Sequence, residues 1–541
     1  MSGHDFLSLS DWQRIRRYAV PGRMIDECTA ARERGDWRAA CAAGDVDVAF
    51  DPGTLRSRFG RQEAARVEDM LAGFAPDLLR WHLPRALGGS TTLATDTHYL
   101  LSPETGAVRD GTALLLVHAP RSILGSQRLT LDVVVAADQP DGRTVDLARL
   151  APYRWDARSD GLREAVGGSA DRLPRFTPDG EPLPEAAWGA GDDPPARSER
   201  ALARLGSTRA WDDAGLELDG AQHDVRLSAP IDPLLLAREV RRLAAQYQKS
   251  SWLLWVSYTM QVRIDVAGQG LRVSVLRAAL RRDDAIRALP QIPVATVRPS
   301  PDLDLIWHGR LAAGAVHPIV RAALFPSLVP AEPAPVPAPA EPIRVRCRGA
   351  WHQVVQRGGR VRTPEHSDAE AQRELMMRAF GGVVTGCFAV SQAWTGTAGR
   401  LPRALREDRR DLWLRMLHGG TRTVVELLDG GMDPRITDGR GRSLLHLLRS
   451  FDHTVLLPRL LDAGLDVNAR DKEGSTPLFL AVVFAWPPDL IVALVDAGAD
   501  PHAPNQDDMS VLDYIEDILE YREEGRTPEF MAAIAHLRDK S

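Results

Sequence analysis

Two short motifs recur in one register near the C-terminus of this 541-residue chain, and that double periodicity constrains its folding more than any other feature. The runs DGRGRSLLHLL from Asp438, DKEGSTPLFLA from Asp471 and NQDDMSVLDYI from Asn505 align; Gly441 and Gly474 are 33 residues apart and Asp508 follows after 34. A second element keeps the same step: LLDGGMDP at 427–434, LLDAGLDVNA at 460–469 and LVDAGADPHA at 494–503, whose glycines Gly431, Gly464 and Gly498 are spaced 33 and then 34. Ser443, Thr476 and Ser510 are helix caps, and Pro477 suits a first turn, where a missing N–H is harmless. The glycine after each second helix supplies left-handed backbone. Leu444, Leu445, Leu447 and Leu448, then Leu456, Leu457, Leu460 and Leu461, form apolar faces that one repeat cannot bury alone, so neighbours must stack.

This pattern resembles the ankyrin repeat, with its period of about 33 residues and its T-P-L-H-like tetrapeptide. Here the tetrapeptide reads Ser443-Leu-Leu-His446, Thr476-Pro-Leu-Phe479 and Ser510-Val-Leu-Asp513. The resemblance covers residues 404–541, with an incomplete repeat at 404–434 and a terminal cap at 508–538. It implies an all-α solenoid with hairpin tips near 435–442, 468–475 and 502–509, and a concave surface that in this family binds another protein. Carried over residue by residue, the tips are Arg440, Arg442, Lys472, Glu473, Asp507 and Met509. The groove-facing positions are Leu447, Ser450, Phe451, Leu480, Val483 and Phe484. His446 takes the family's structural role, hydrogen bonding between neighbouring hairpin loops, and not a catalytic one.

Upstream, Pro330–Pro342 (PAEPAPVPAPAEP) holds six prolines in thirteen residues and reads as an extended, semi-rigid tether. Gly167–Arg197 is loop-like. These stretches divide the chain into 1–166, 198–329 (continuous with the first or separate), a linker at 330–342, an Arg-rich hairpin-plus-helix module at 343–403, and the repeats at 404–541. Residues 1–329 read as α+β. The periodicity predicts helices around Trp12–Ala19, over Met24–Ala43 and at Pro233–Lys249, and hairpins pairing Thr112–Ala119 with Arg128–Ala137 and Gln261–Val266 with Leu271–Leu276. In the module, Arg344, Arg346 and Arg348 alternate along a strand, Trp351–Gln356 and Arg360–Arg362 return around Gly358-Gly359, and Ser367 with Glu370 forms a capping box.

Motifs for chemistry are sparse. The chain has three lysines, Lys249, Lys472 and Lys540, and none follows a glycine, so a Walker-type phosphate loop is excluded. GxSxG and HExxH are absent, and Gly268-Gln-Gly270 reads as a hairpin turn. Cys347, His352, His366 and Cys387 fall within 41 residues but not at zinc-finger spacing, so they read as small core cysteines with two unrelated histidines. No metal and no cofactor is expected. The pairs Asp45/Asp47 and Asp302/Asp304 read as ordinary loop carboxylates. Trp81-His82, Trp307-His308 and His317-Pro318 are the short pieces that could feed a dispersed active site. The start MSGHDFLSLSDWQRIRR lacks the apolar core of a signal peptide, no apolar run nears a membrane span, and the cysteines are too sparse for a disulfide framework, so a cytoplasmic protein is expected. The Arg-rich, Lys- and Asn-poor vocabulary suggests a GC-rich bacterial genome.

Charge is uneven. Residues 404–541 hold 16 basic and 25 acidic side chains, whereas 343–403 hold ten arginines and four acids. The favoured reading is docking in cis of the Arg-rich module on the acidic repeats; nucleic acid at Arg344, Arg346 and Arg348 is less favoured, and no membrane partner is expected. The leading function is a non-catalytic protein–protein scaffold acting through the repeats. The alternative is an enzyme or effector whose active site lies in 1–329, with the repeats selecting its target.

Overall fold

The computed structural model describes residues 8–540 except 89, 96, 104–105, 124, 139–145, 220–226, 228, 258–259, 269, 278–283, 329–341, 381–382, 397–398, 485 and 522–526. The proline-rich tether therefore lies outside the described residues, apart from Pro342. The chain forms two compact units, Met1–Ile123 with Gln127–Ala334, and Leu124–Ser126 with Pro335–Ser541.

The first unit holds two five-stranded sheets of one design. In the first, β1 (Val46–Val48), β2 (Thr97–Leu101), β3 (Ala113–His118), β4 (Leu129–Val135) and β5 (Asp146–Leu150) lie in the order β1-β4-β3-β2-β5. In the second, β6 (Leu216–Leu218), β7 (Ser251–Ser257), β8 (Met260–Ala267), β9 (Gly270–Arg277) and β10 (Gln291–Pro293) lie in the order β6-β9-β8-β7-β10. Each is a three-stranded antiparallel meander flanked by two parallel edge strands: Val46 pairs with Leu129 and Tyr99 with Ala148, as Leu216 pairs with Leu271 and Leu254 with Ile292. In each, one long helix runs between the first strand and the meander. Leu55–Gly73 buries Val67, Met70 and Leu71 with Leu115, Val117 and Leu131; Pro233–Tyr247 buries Leu236, Val240 and Leu243 with Val262, Ile264 and Val273. Both expected hairpins form, as β3–β4 and β8–β9. Leu114 and Leu116 face a second cluster with Leu100, Val108 and Leu147, so β3 is covered on both faces, which explains its unbroken apolar run. Met24–Ala43 is two helices, Gly22–Glu33 and Trp37–Ala43, because Gly35 turns to φ +70° and Asp36 caps the second.

The second unit opens with a small antiparallel sheet, β11 (Ile343–Cys347), β12 (Ala350–Arg357) and β13 (Arg360–Arg362), followed by helices Asp368–Ala379 and Gly386–Thr395. The expected capping box is present: Ser367 N–H donates to Glu370 Oε2 at 3.0 Å and Glu370 N–H to Ser367 Oγ at 3.3 Å. Then come Arg403–Asp429, broken at Gly420 (φ +65°), and the paired helices of the repeats: a 3-10 helix Leu444–Ser450 with His453–Asp462, Pro477–Val483 with Pro488–Asp496, and Val511–Tyr521 with Pro528–Lys540. One apolar core runs from Val354, Cys387 and Trp394 through Leu412 and Met416 to Leu460, Leu494 and Ile534. Trp394 Nε1 donates to Gly359 O at 2.9 Å, and Thr437 Oγ1 to Gly396 O at 3.2 Å. The repeat-bearing unit is thus mixed rather than all-helical: a sheet shares its core, because the strands' inner faces need the same apolar cover as the first helices. Among the described residues no helix is long and apolar enough to cross a membrane.

Candidate functional site

The repeats build their tips by local hydrogen bonding that returns every 33 or 34 residues. Asp438 Oδ1 accepts from the N–H groups of Arg440 and Arg442 at 2.7 and 2.9 Å. Asp471 Oδ1 does the same for Glu473 and Ser475 at 3.0 and 2.8 Å, and Asn505 Oδ1 for Asp507 and Met509 at 2.8 and 3.1 Å. Each carboxylate or amide thus closes its own loop before any neighbour is involved. Adjacent tips then join, Lys472 N–H to Arg440 O at 2.9 Å and Gln506 N–H to Glu473 O at 3.2 Å. Gly441, Gly474 and Asp508 all take positive φ, as do Gly431, Gly464 and Gly498. His446, 1% exposed, accepts from Ser443 N–H at Nδ1 (3.1 Å) and donates from Nε2 to the Ser475 carbonyl (3.2 Å). Burial holds its imidazole below the ordinary histidine value, hence neutral.

Of the expected contact residues, Arg440, Lys472, Glu473 and Asp507 are exposed, and Phe484 is 44% exposed. Leu447, Ser450, Phe451, Val483 and Met509 are half-buried. Two turn inward instead. Arg442 is buried with its Nε 3.4 Å from Asp471 Oδ2, a carboxylate drawn in by the next loop, and Leu480 is buried because helix Pro477–Val483 is covered on nearly every side. The guanidinium of Arg449 lies 6.0 Å from the Phe484 ring centroid and 5.8 Å from that of Trp486. Arg344 and Arg346 are exposed, but Arg348 pairs with Glu370 and Glu374 of its own module, at 3.5 and 2.5 Å. Among the described ion pairs none joins these three arginines to residues 404–541; the module shares the repeats' apolar core, and Thr437 and Arg409 donate to its Gly396 and Ala393 carbonyls.

The first unit contains a pocket of about 80 Å³ that no local motif announced. Arg16, His82, Arg85, Arg154, Asp232, Arg298 and Asp302 line it. Arg16 holds Asp302 through Nε and Nη2 at 2.5 and 3.2 Å, and Trp81 Nε1 donates to the same carboxylate at 3.0 Å. Burial pushes the Asp232 carboxyl up to about 6, against the N–H groups of Leu235 and Leu234 that it caps. Burial, then Arg154, drives His82 well below its ordinary value. Of the histidines read as candidates, only His82 lines this pocket; His317 instead bonds to buried Asp77 at 3.0 Å.

Cys347, His352, His366 and Cys387 converge, contrary to the expectation that the histidines are unrelated. Their ligand-type atoms all lie within 4.8 Å of one another, with His352 Nδ1 2.8 Å from His366 Nε2. Burial, then neighbouring Cys347, pushes the Cys387 thiol up to about 12. The convergence was hidden because the hairpin, the turn before Asp368 and the start of helix Gly386–Thr395 are brought together by tertiary packing.

No protein-family model matches the chain. It is similar to an ankyrin repeat-containing protein of Schizosaccharomyces pombe, 33% identical over 106 residues, which is 20% of this chain and 50% of that protein. It is 32% identical over 99 residues to NF-kappa-B inhibitor delta of Mus musculus, 18% of this chain and 29% of the relative, and 29% identical over 101 residues to rabankyrin-5 of Mus musculus, 18% and 9%. The matches span half or less of these relatives' length. Together with the repeated loop geometry, these similarities support ankyrin repeats over about 20% of this chain.

Proposed function

We propose that this chain is a non-catalytic scaffold that binds a protein partner through its ankyrin array. Two observations carry the reading: the aligned row of exposed tips, Arg440, Lys472, Glu473 and Asp507, and, at the other end of helix Pro477–Val483, Phe484, a large aromatic left 44% exposed. Exposed aromatic side chains together with charged, solvent-facing groups are the residue types that protein interfaces use for anchors and rims. The test is affinity capture with the full chain, identification of the partner, and titration of that partner against Phe484→Ser and Lys472→Glu. Affinity should fall at least about tenfold for Phe484→Ser, a loss of about 1.4 kcal/mol, while the melt stays in place. A partner whose affinity ignores both changes would move the interaction elsewhere on the chain.

A second reading rests on the pocket lined by His82, Asp232 and four arginines. Groups with displaced proton affinities in a cleft mark a candidate functional site, and a lining with four arginines favours an anionic ligand. In that reading the first unit acts on an anionic small molecule and the repeats select the target. Phosphates and carboxylates that raise the melting point of the wild-type chain, and not of Arg298→Ala, would favour it.

A further inference from the structure

The Cys347–Cys387 cluster is assembled from three separate pieces of backbone. Cys347 ends β11 and His352 sits on β12, joined by a two-residue turn in which Arg348 (φ +51°) and Gly349 (φ +89°) are both left-handed, as a tight hairpin requires. The strand alternation that sends Arg344 and Arg346 outward turns Cys347 and His352 inward, beside Val345 and Val354. His366 lies just before the Ser367 cap, and Cys387 is the second residue of helix Gly386–Thr395. Gly386 stands at φ +63°, and a Cβ there would sit 2.6 Å from Cys347 Sγ. Only glycine lets this helix start approach the end of β11 so closely.

We propose that Cys347, His352, His366 and Cys387 bind one Zn²⁺ in a closed tetrahedral site. Bond lengths of about 2.3 Å to sulfur and about 2.0–2.1 Å to nitrogen place tetrahedral ligands roughly 3.3–3.8 Å apart. Cys347 Sγ is 3.6 Å from His366 Nε2, within that range; the two imidazole nitrogens, 2.8 Å apart and in hydrogen-bond contact, must part by about 0.5 Å to share an ion, and all four ligand atoms fall within 4.8 Å. Two thiolates with two imidazoles suit zinc, whereas Mg²⁺ and Ca²⁺ take oxygen. Glu370 Oε2 stands 3.8 Å from Nδ1 of His366, on the far side of the ring from the cluster, too far for a hydrogen bond but on the side from which an outer carboxylate could approach. With four protein ligands no position is left for substrate, so the ion is structural. It clamps the β11–β12 hairpin to helix Gly386–Thr395, whose Val390 and Trp394 share the core of the first repeat helices. A stack of repeats needs its open ends covered, and this clamp fixes the cover at one end.

The test begins with the full chain purified under reducing conditions without chelator, in which metal analysis should find about one zinc per chain. Exchange for Co²⁺ should give the intense visible bands of a tetrahedral ion and thiolate-to-cobalt charge transfer. Cys387→Ser should lose the stoichiometric metal; His352→Cys should keep it and shift the cobalt bands by adding a thiolate. Chelation should lower the melting point, and Zn²⁺, not Mg²⁺, should restore it. Should Cys387→Ser fail to fold, the wild-type cobalt spectrum decides alone. A chain with only trace zinc that takes up no tetrahedral cobalt, or one with a Cys347–Cys387 disulfide, overturns the proposal.

Discussion

Replacing His446 by alanine tests whether the repeats are held together by the loop-to-loop hydrogen bonding described above. The side chain is buried, and its two nitrogens serve two loops: Nδ1 takes the Ser443 N–H and Nε2 reaches the Ser475 carbonyl 29 residues on. The Ser475 carbonyl also accepts from Asp471 N–H at 3.0 Å, so its loss is a net hydrogen bond of about 0.5–1.5 kcal/mol. The Ser443 N–H loses its imidazole acceptor in a buried position, which costs about 1–3 kcal/mol. His446→Ala should therefore destabilise the array by roughly 2–4 kcal/mol. Hydrogen exchange on the full chain resolves this locally: amides of 438–451 and 471–480 should exchange roughly 30- to 1,000-fold faster while β2–β4 are unchanged. The same histidine predicts a pH dependence. Unfolded, it takes a proton near pH 6.5; folded, burial resists that proton, so the unfolded state binds more protons and stability falls as pH drops below about 6.5, levelling off once the folded imidazole titrates. His446→Ala should lack this component. A variant whose local opening energy shifts by less than about 0.5 kcal/mol, or whose pH dependence matches wild type, would refute the assignment.

Three further outcomes follow from burial and backbone geometry. Leu460→Ala, at a fully buried second-helix position, should destabilise the repeats by about 2–5 kcal/mol in a urea melt. Gly474→Ala should cost at least about 1–2 kcal/mol, because φ is +75° and the new Cβ would lie 2.9 Å from the Gln506 nitrogen of the next tip; exchange in 502–509 should rise with it. Asp302→Ala strands buried Arg16 and the Trp81 N–H, so it should destabilise the first unit by about 3–5 kcal/mol, read as an earlier melt of that unit with the repeats' exchange unaltered.

Local chemistry accounts for the features that a linear reading of this chain finds. Ser443, Thr476 and Ser510 start helices because a side-chain oxygen two or three residues away suffices, and Gly431, Gly464 and Gly498 end them because one residue's φ suffices. The hairpins are legible too: β8–β9 from alternation about a short connection, and β3–β4 from two successive β-rich runs. The exposure of single side chains was less so: Arg442 and Leu480 occupy positions that the repeat pattern assigns to the open face, yet Asp471 and the packing around Pro477–Val483 draw them in. Long-range packing sets the remaining features. The parallel pairing of β1 with β4 and of β6 with β9 joins strands separated by whole helices, and nothing in their short sequences encodes the partner. The pocket gathers Arg16, His82, Asp232 and Arg298 from across the first unit, and the two cysteines and two histidines meet only because Gly386 lets a helix start touch the end of β11. Spacing along the chain reports such a cluster when its ligands share one local element. Here they are carried by a hairpin, a turn and a helix, and the apolar core that packs those three together sets the geometry.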